Sequence, residues 1–551
     1  MDIKNIDFVN LHAHSGVGSP FDGFGYPQDH MDYAFSNGSK ALALTDHGNM
    51  NGFAYQVLHA KKMKEAGKDF KPIFGVEAYF IEDVVEWKEK YEQAKADKKR
   101  KKEVKDDSSG ISIETEGESK SKGRSEINRS RHLILIAMSQ KGLNNIFKMV
   151  SESHKGDYFY RKPRVDFGLL EKYGEDVIAA SACLGGVYAG AYWSLHEEGD
   201  EAVLNEMRRL TTRFQSILGD RWYGELQWNR VPQQHELNRH IIQIHKETGL
   251  KLISTADSHY PTPEAWQDRE LYKRLGWLGR SKPEWLDMSL PAEIQELECE
   301  LYPKNAEQMW ESYKRYSKEC DASYDDQIVL NSIKETQTIA FDRIETFLPD
   351  NTVRLPSFVV PAGYNEDDYL RRLTTEGMFN ILQEQSRTDK LTAKKYKARI
   401  DEELSVISDR GFSKYFLTMK AVADKASNMM LTGTGRGSAA GSLVAYALGI
   451  TQVDPIKYGL LFSRFLRKDA KDYPDIDYDV AEPMELKDHL IEAWGNDCVA
   501  PISNWNTLQL KSLIKDISKM YDIEFREVNI VTGKMISEAT PLAKKKHGMK
   551  A

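Results

Sequence analysis

Six short apolar runs in the first half of this chain each stand beside a side chain that can bind a metal ion. Phe8-Val9-Asn10-Leu11 leads into His12-Ala13-His14, with Asp22 in the loop that follows. Ala41 to Leu44 ends in Thr45-Asp46-His47-Gly48, and Pro72 to Val76 ends in Glu77. Val177 to Ala180 leads to Ser181-Ala182-Cys183, and Leu252 to Ala256 leads to Asp257-Ser258-His259. His132 breaks the pattern, because it opens its run (His132 to Ala137) instead of closing it. Runs this short read as buried strands, and helix-like stretches such as Phe53 to Ala66 and Glu201 to Leu218 lie between them. Alternating strands and helices predict an α/β fold with a parallel sheet. A (β/α) barrel is its economical closure, since the strand ends then gather their side chains on one face. A lone histidine beside a strand is more often a hydrogen-bonded core residue than a ligand, but six separate occurrences beside apolar runs favour a metal centre. Mixed His, Asp, Glu and Cys ligands suit Zn²⁺ or Mn²⁺ better than Mg²⁺.

A second constellation lies far downstream. Tyr473-Pro474-Asp475-Ile476-Asp477-Tyr478-Asp479 puts Asp475 and Asp477 on one face of an extended segment, where paired carboxylates suit Mg²⁺. Upstream, Gly433-Thr434-Gly435-Arg436-Gly437-Ser438-Ala439-Ala440-Gly441-Ser442 offers small residues, a guanidinium and hydroxyls for an anion. No Gly-Lys-Ser/Thr follows, so this is not a Walker A loop, and Ser438 stands where a dinucleotide fingerprint needs its third glycine. Each motif alone is weak. Joined by Phe462-Ser463-Arg464-Phe465-Leu466, they are the parts of a two-metal phosphoryl-transfer site.

A chain of 551 residues has room for two or more domains, and a net charge of −8 confines any nucleic-acid contact to local basic patches. Such patches include Lys394 to Arg399 and Lys544 to His547. Four scattered cysteines with no CxxC spacing match a reducing cytoplasm and exclude a disulfide framework or zinc finger. The expectation is a cytoplasmic protein without a membrane span. Residues 82–131 interrupt the first domain: Trp87 to Lys105 reads as a charged helix, and Asp106 to Ser130 has the composition of a disordered insertion.

The downstream motifs bring a family into view. Gly411-Phe412, Tyr415-Phe416-Leu417, Gly435-Arg436-Gly437-Ser438, Gly441-Ser442-Leu443-Val444-Ala445-Tyr446, Asp454-Pro455, Leu461 to Leu466 and Pro474-Asp475-Ile476-Asp477 together resemble the palm of family C DNA polymerases, the bacterial replicative class. The resemblance implies template-directed nucleotidyl transfer on an α+β palm. By it, Asp475 and Asp477 would be the catalytic Mg²⁺ ligands, while Gly435, Arg436, Gly437, Ser438, Ser442 and Arg464 would bind the incoming triphosphate. The N-terminal pattern likewise resembles the PHP (polymerase and histidinol phosphatase) domain of the same polymerases. The ligand set it implies is His12, His14, Asp22, His47, Glu77, His132, Cys183, Asp257 and His259, with a 3′–5′ exonuclease as the expected activity.

The boundaries expected from this resemblance are a PHP domain over 1–270, a palm region over 271–506 and the start of a helical thumb over 507–551. The third palm aspartate, which the family carries in a Lys-x-Asp-Phe-type strand, has no counterpart after Asp479. Primer-template DNA, dNTPs and a second chain carrying thumb, fingers and clamp-binding parts are therefore the expected partners. Two other readings remain open at this stage: a free-standing PHP phosphoesterase or nuclease, and a non-catalytic replication scaffold.

Overall fold

A computed structural model describes residues 3–107, 130–278, 297–350, 352–355, 358–385, 389–470, 472–496, 498–502 and 507–547. The chain divides into two compact units, Met1–Asp350 with Leu508–Ala551, and Asn351–Thr507.

Among the described residues, eight strands belong to the first unit: β1 (Ala41–Leu44), β2 (Lys71–Phe80), β3 (Arg131–Ala137), β4 (Phe159–Tyr160), β5 (Lys162–Val165), β6 (Val177–Ala180), β7 (Trp222–Gln227) and β8 (Lys251–Thr255). Pairing runs β1-β2-β3-β6-β7-β8, and the β4–β5 hairpin adds to the end of β2. Residues 10–14 close the ring without forming a regular strand. Asn10 bridges Leu42 and Ala13 bridges Ser258, both in parallel. The Ala43 and Thr45 amides donate to the Asn10 and Ala13 carbonyls, and the Ser258 amide donates to His12.

Apart from the antiparallel β4–β5 hairpin, neighbouring strands run parallel except β3, which is antiparallel to both β2 and β6. This departs from the all-parallel expectation, and it accounts for His132. A reversed strand brings its first residues to the rim where the others bring their last, so a ligand at the start of β3 joins ligands at the ends of its neighbours.

Period-two alternation sorts the strand residues into two cores. Leu133, Leu135 and Ala137 face out against helices, in a cluster with Phe80, Phe214 and Trp222. Ile134 and Ile136 face into the barrel with Ile73, Ile178, Tyr223 and Ile253. Ile339, Ala340 and Ile344 join this inner cluster. The helices Ala306–Glu319 and Asp326–Thr338 contribute Met309, Tyr313, Val329 and Ile333 to the outer core, so the first unit extends past residue 270 to Asp350. The charged stretch forms the helix Val84–Asp107, and the expected disordered segment falls mostly on residues 108–129, outside the described residues.

The second unit is helical. Glu366–Glu384, Lys390–Asp409 and Ser413–Met429 pack around Leu370, Ile400, Ile407, Phe416 and the run Leu443 to Leu448. Asn365 and Asp389 cap the first two helices by accepting from the amides of Asp368 and Thr392. The palm sheet expected here is reduced, among the described residues, to one antiparallel bridge between Thr432 and Val480. The Asp475–Asp479 segment forms no regular strand, and a single bridge beside it does not build a sheet. The helices Leu510–Met520 and Phe525–His547, where the start of the thumb is expected, belong to the first unit. No described helix is long and apolar enough to cross a membrane.

Candidate metal centre and nucleotide cradle

All nine ligand candidates of the first unit converge on one rim of the barrel. Glu77, fully buried on β2, lies at their centre. Its Oε1 is 3.4 Å from His12 Nε2 and 3.0 Å from His132 Nδ1, and its Oε2 is 3.5 Å from His14 Nε2 and 2.6 Å from His47 Nδ1. Asp257 Oδ1 is 3.1 Å from His12 Nε2, 3.3 Å from His14 Nε2 and 3.4 Å from His259 Nδ1. Asp22 Oδ2 reaches His47 Nε2 at 3.1 Å and His259 Nε2 at 3.6 Å. Cys183 Sγ sits 3.7 Å from His132 Nδ1. Two of the loops that deliver ligands are held in the left-handed region without glycine, at Ala182 (φ 60°) and Asp257 (φ 48°), a strain that accumulates at functional loops.

The donors overlap in three triplets, His14/His47/His259, His12/His14/Asp257 and His47/Glu77/His132, each with its atoms within 4.8 Å of one another. Several of these atoms are buried and lack a well-oriented hydrogen bond: Nε2 of His12 and His14, Nδ1 of His47, both oxygens of Glu77 and Oδ1 of Asp257. Buried polar atoms are normally satisfied, so a cluster of orphans all aimed at one space fits metal ions.

Electrostatics reflect the crowding. Burial alone would lower the His12 imidazole, yet Asp257, Glu225 and Glu77 hold it well above the usual histidine value. His14 goes the other way, pushed well below by burial and by His47 and His259. Glu77 stays well below the usual carboxylate range despite its burial, because His132, His47 and His12 surround it. Burial, with Asp257 and Glu77 nearby, pushes the Cys183 thiol well up.

Three polar residues outside the sequence-derived set support this site. Glu225 accepts a hydrogen bond from His12 across 2.7 Å. Asp46 accepts from the Ser15 amide and from the Ser15 and Ser19 hydroxyls, and burial pushes its carboxyl up to about 6. A Cβ on Gly18 would fall 2.1 Å from its Oδ2, so the loop needs glycine there. Arg269 donates to the Asp22 carbonyl and to Asp22 Oδ1, both at 2.7 Å. Glu225 had one signal in the sequence, a charged residue at an inward position of the apolar run Trp222 to Leu226. Asp46 sits inside the Asp-His-Gly word, where His47 alone drew notice.

In the second unit the glycine run and the Asp-x-Asp segment lie against each other. A Cβ on Gly437 would stand 2.1 Å from Asp477 Oδ2, and Gly437 has φ 66°, so only glycine permits this approach. Arg436 Nη1 pairs with Asp479 Oδ1 at 3.1 Å, and both side chains are more than half exposed. Such an exposed pair is screened by water and yields readily to a phosphate. Ser438, Gly435 and Asp475 are exposed, Asp477 is half-buried, and Arg464 is exposed at the end of the turn Phe462–Arg464.

Ser442 does not fit the nucleotide-binding role given to it. It is fully buried, caps the helix Leu443–Ala447 by accepting from the Ala445 amide, and donates to Glu403 Oε2 at 2.9 Å. Glu403 also accepts from the Leu443 and Val444 amides and pairs with Arg399. A hydroxyl engaged on both sides in the core has nothing left for a phosphate.

Residues 10–229 match the family model of the PHP domain, and residues 368–550 match that of the bacterial DNA polymerase III alpha NTPase domain. The chain is 33% identical over 528 residues to DNA polymerase III subunit alpha of Aquifex aeolicus, covering 94% of this chain and 40% of the relative. The subunits named DNA polymerase III subunit alpha from Borreliella burgdorferi and Treponema pallidum are 32% and 30% identical, with 95% and 96% of this chain covered. The chain spans about two fifths of the length of these curated relatives. With both models matched in order and relatives of one name aligned along nearly all of it, the chain carries a PHP domain and a DNA polymerase III alpha NTPase domain and is related along almost its whole length to DNA polymerase III alpha subunits.

Proposed function

We propose that this chain supplies two parts of a replicative DNA polymerase. One is a polynuclear metal centre that hydrolyses phosphoesters, acting on a DNA 3′ end. The other is a palm site for nucleotidyl transfer from dNTPs to a primer. The observation that carries the first part is the convergence of nine donor side chains whose central atoms are buried and unsatisfied. Zn²⁺ or Mn²⁺ held there would supply a Lewis acid and an activated water. His12, His14, Glu77 and Asp257 would hold the ions from inside the barrel, with Cys183 and His259 beside them. Asp22, His132 and His47, whose side chains are 43%, 22% and 13% exposed, mark the side open to substrate.

For the palm, support comes from the close approach of Gly437 to Asp477, which sets the glycine run beside the carboxylates. Asp475 and Asp477 would hold Mg²⁺ and the triphosphate, with Gly435, Arg436, Ser438 and Arg464 on its phosphates. A second chain or segment would supply the fingers and the third carboxylate.

Full burial of His12, His14 and Glu77 favours a second reading, in which the ions only hold the barrel together. One variant separates the two. Asp257→Asn removes a charged ligand, and release of nucleotides from a 3′-labelled DNA in Mn²⁺ or Zn²⁺ should fall by orders of magnitude. Hydrolysis unchanged by the substitution would place the activity elsewhere, and a metal-loaded wild type without hydrolysis would favour the structural reading.

A further inference from the structure

We infer that Glu225 is a positioning residue of the metal centre, fixing the ring of His12 so that Nε2 faces the ions; this rests on the metal-centre reading above. Glu225 projects into the barrel from β7 and is 1% exposed. Its Oε1 lies 2.7 Å from His12 Nδ1 and also accepts from Thr255 Oγ1 at 2.5 Å and Gln227 Nε2 at 2.9 Å. A carboxylate only accepts, so the proton at that contact belongs to Nδ1 of His12. Nε2 is thereby turned toward Asp257 Oδ1 at 3.1 Å and Glu77 Oε1 at 3.4 Å. A bare lone pair facing two carboxylate oxygens would be repulsive, so this contact calls for a positive charge between them, a proton on Nε2 or a metal ion that takes its place.

The other inner histidines are held differently. His259 Nδ1 meets the Asp257 carbonyl at 2.7 Å, and His14 Nδ1 meets the Ser19 hydroxyl at 3.4 Å. His12 thus has a carboxylate at hydrogen-bond distance behind its ring, where His14 has a hydroxyl and His259 a backbone carbonyl, with Asp257 Oδ1 farther off at 3.4 Å. Thr255 and Gln227 bring only neutral donors to Glu225, so the charge of this buried carboxylate is balanced through His12. A carboxylate hydrogen-bonded behind a ligand histidine fixes its tautomer and orientation and raises its basicity.

The test strips the full chain with a chelator and titrates Zn²⁺ against a chromophoric competitor, with Co²⁺ as a spectroscopic probe. Glu225→Gln keeps the shape and loses the charge. It should weaken binding of one metal equivalent about 10- to 100-fold and shift the visible Co²⁺ bands. The stripped variant should melt at or above the stripped wild type. Thr255→Val, which removes a donor from the same oxygen and touches no ligand, should give a smaller shift in the same direction, and it serves if Glu225→Gln does not fold. Zn²⁺ affinity and Co²⁺ spectra equal to wild type in the folded variants would overturn the role of Glu225 alone. A wild type that takes up no Zn²⁺ would overturn the metal-centre reading, and this inference with it.

Discussion

His30 is fully buried in the helix Pro27–Ser36, where its Nε2 donates to the Phe24 carbonyl at 2.9 Å. Burial lowers its imidazole to about 4, against an ordinary value of 6.5. The sign of the consequence is fixed by which state binds the proton. Above pH 6.5 both states are neutral at this residue and the native state keeps its full advantage. Between 6.5 and 4 the unfolded chain gains a proton that the native state refuses, so stability falls as pH falls through that window. The loss attributable to His30 is roughly 3 kcal/mol. His30→Gln should flatten the pH dependence of the unfolding free energy from urea titrations by about that amount, while a variant with an unchanged profile would show that His30 does not titrate this way. Nothing in the sequence marked His30 as different from the ligand histidines: burial beside a carbonyl, rather than beside carboxylates, is what separates them.

Among the elements, the barrel strands were legible because short apolar runs between amphipathic helices leave few alternatives. The direction of β3 was not. A run of the same apolar residues reads identically in either direction, and only the displaced His132 hinted at the reversal. The first apolar run, Phe8 to Leu11, reads as a strand like the others, but isolated bridges rather than a ladder hold residues 10–14. In the second unit both motifs were visible, but the part played by Ser442 was not, because the buried partner that claims its hydroxyl, Glu403, lies thirty-nine residues away. The packing of the glycine run on the Asp-x-Asp segment gives a sharp test. Gly437→Ala adds a methyl where 2.1 Å is available and where φ is 66°, so either Asp477 or the backbone must move. Primer extension, measured with a complementing chain that carries fingers and the third carboxylate, should fall by at least two orders of magnitude, as ~1 Å misplacement at a reacting centre does. The metal content of the barrel should stay at the wild-type level. Extension at the wild-type rate would mean that Asp477 holds no catalytic metal.

At the scale of the whole molecule, two compact units each carry their own constellation of carboxylates, one rich in histidine and buried, the other in an exposed segment. The difference in ligands predicts a difference in metals: borderline ions retained through purification in the first unit, and exchangeable Mg²⁺ in the second. The central claim is that the barrel rim is a polynuclear metal centre. Its most direct test is elemental analysis of the purified chain, repeated after chelator stripping and titration with Zn²⁺ or Mn²⁺. More than one tightly held equivalent per chain is predicted, with a clear fall in His12→Ala/His14→Ala. A folded, metal-free chain that takes up neither ion on titration would contradict it.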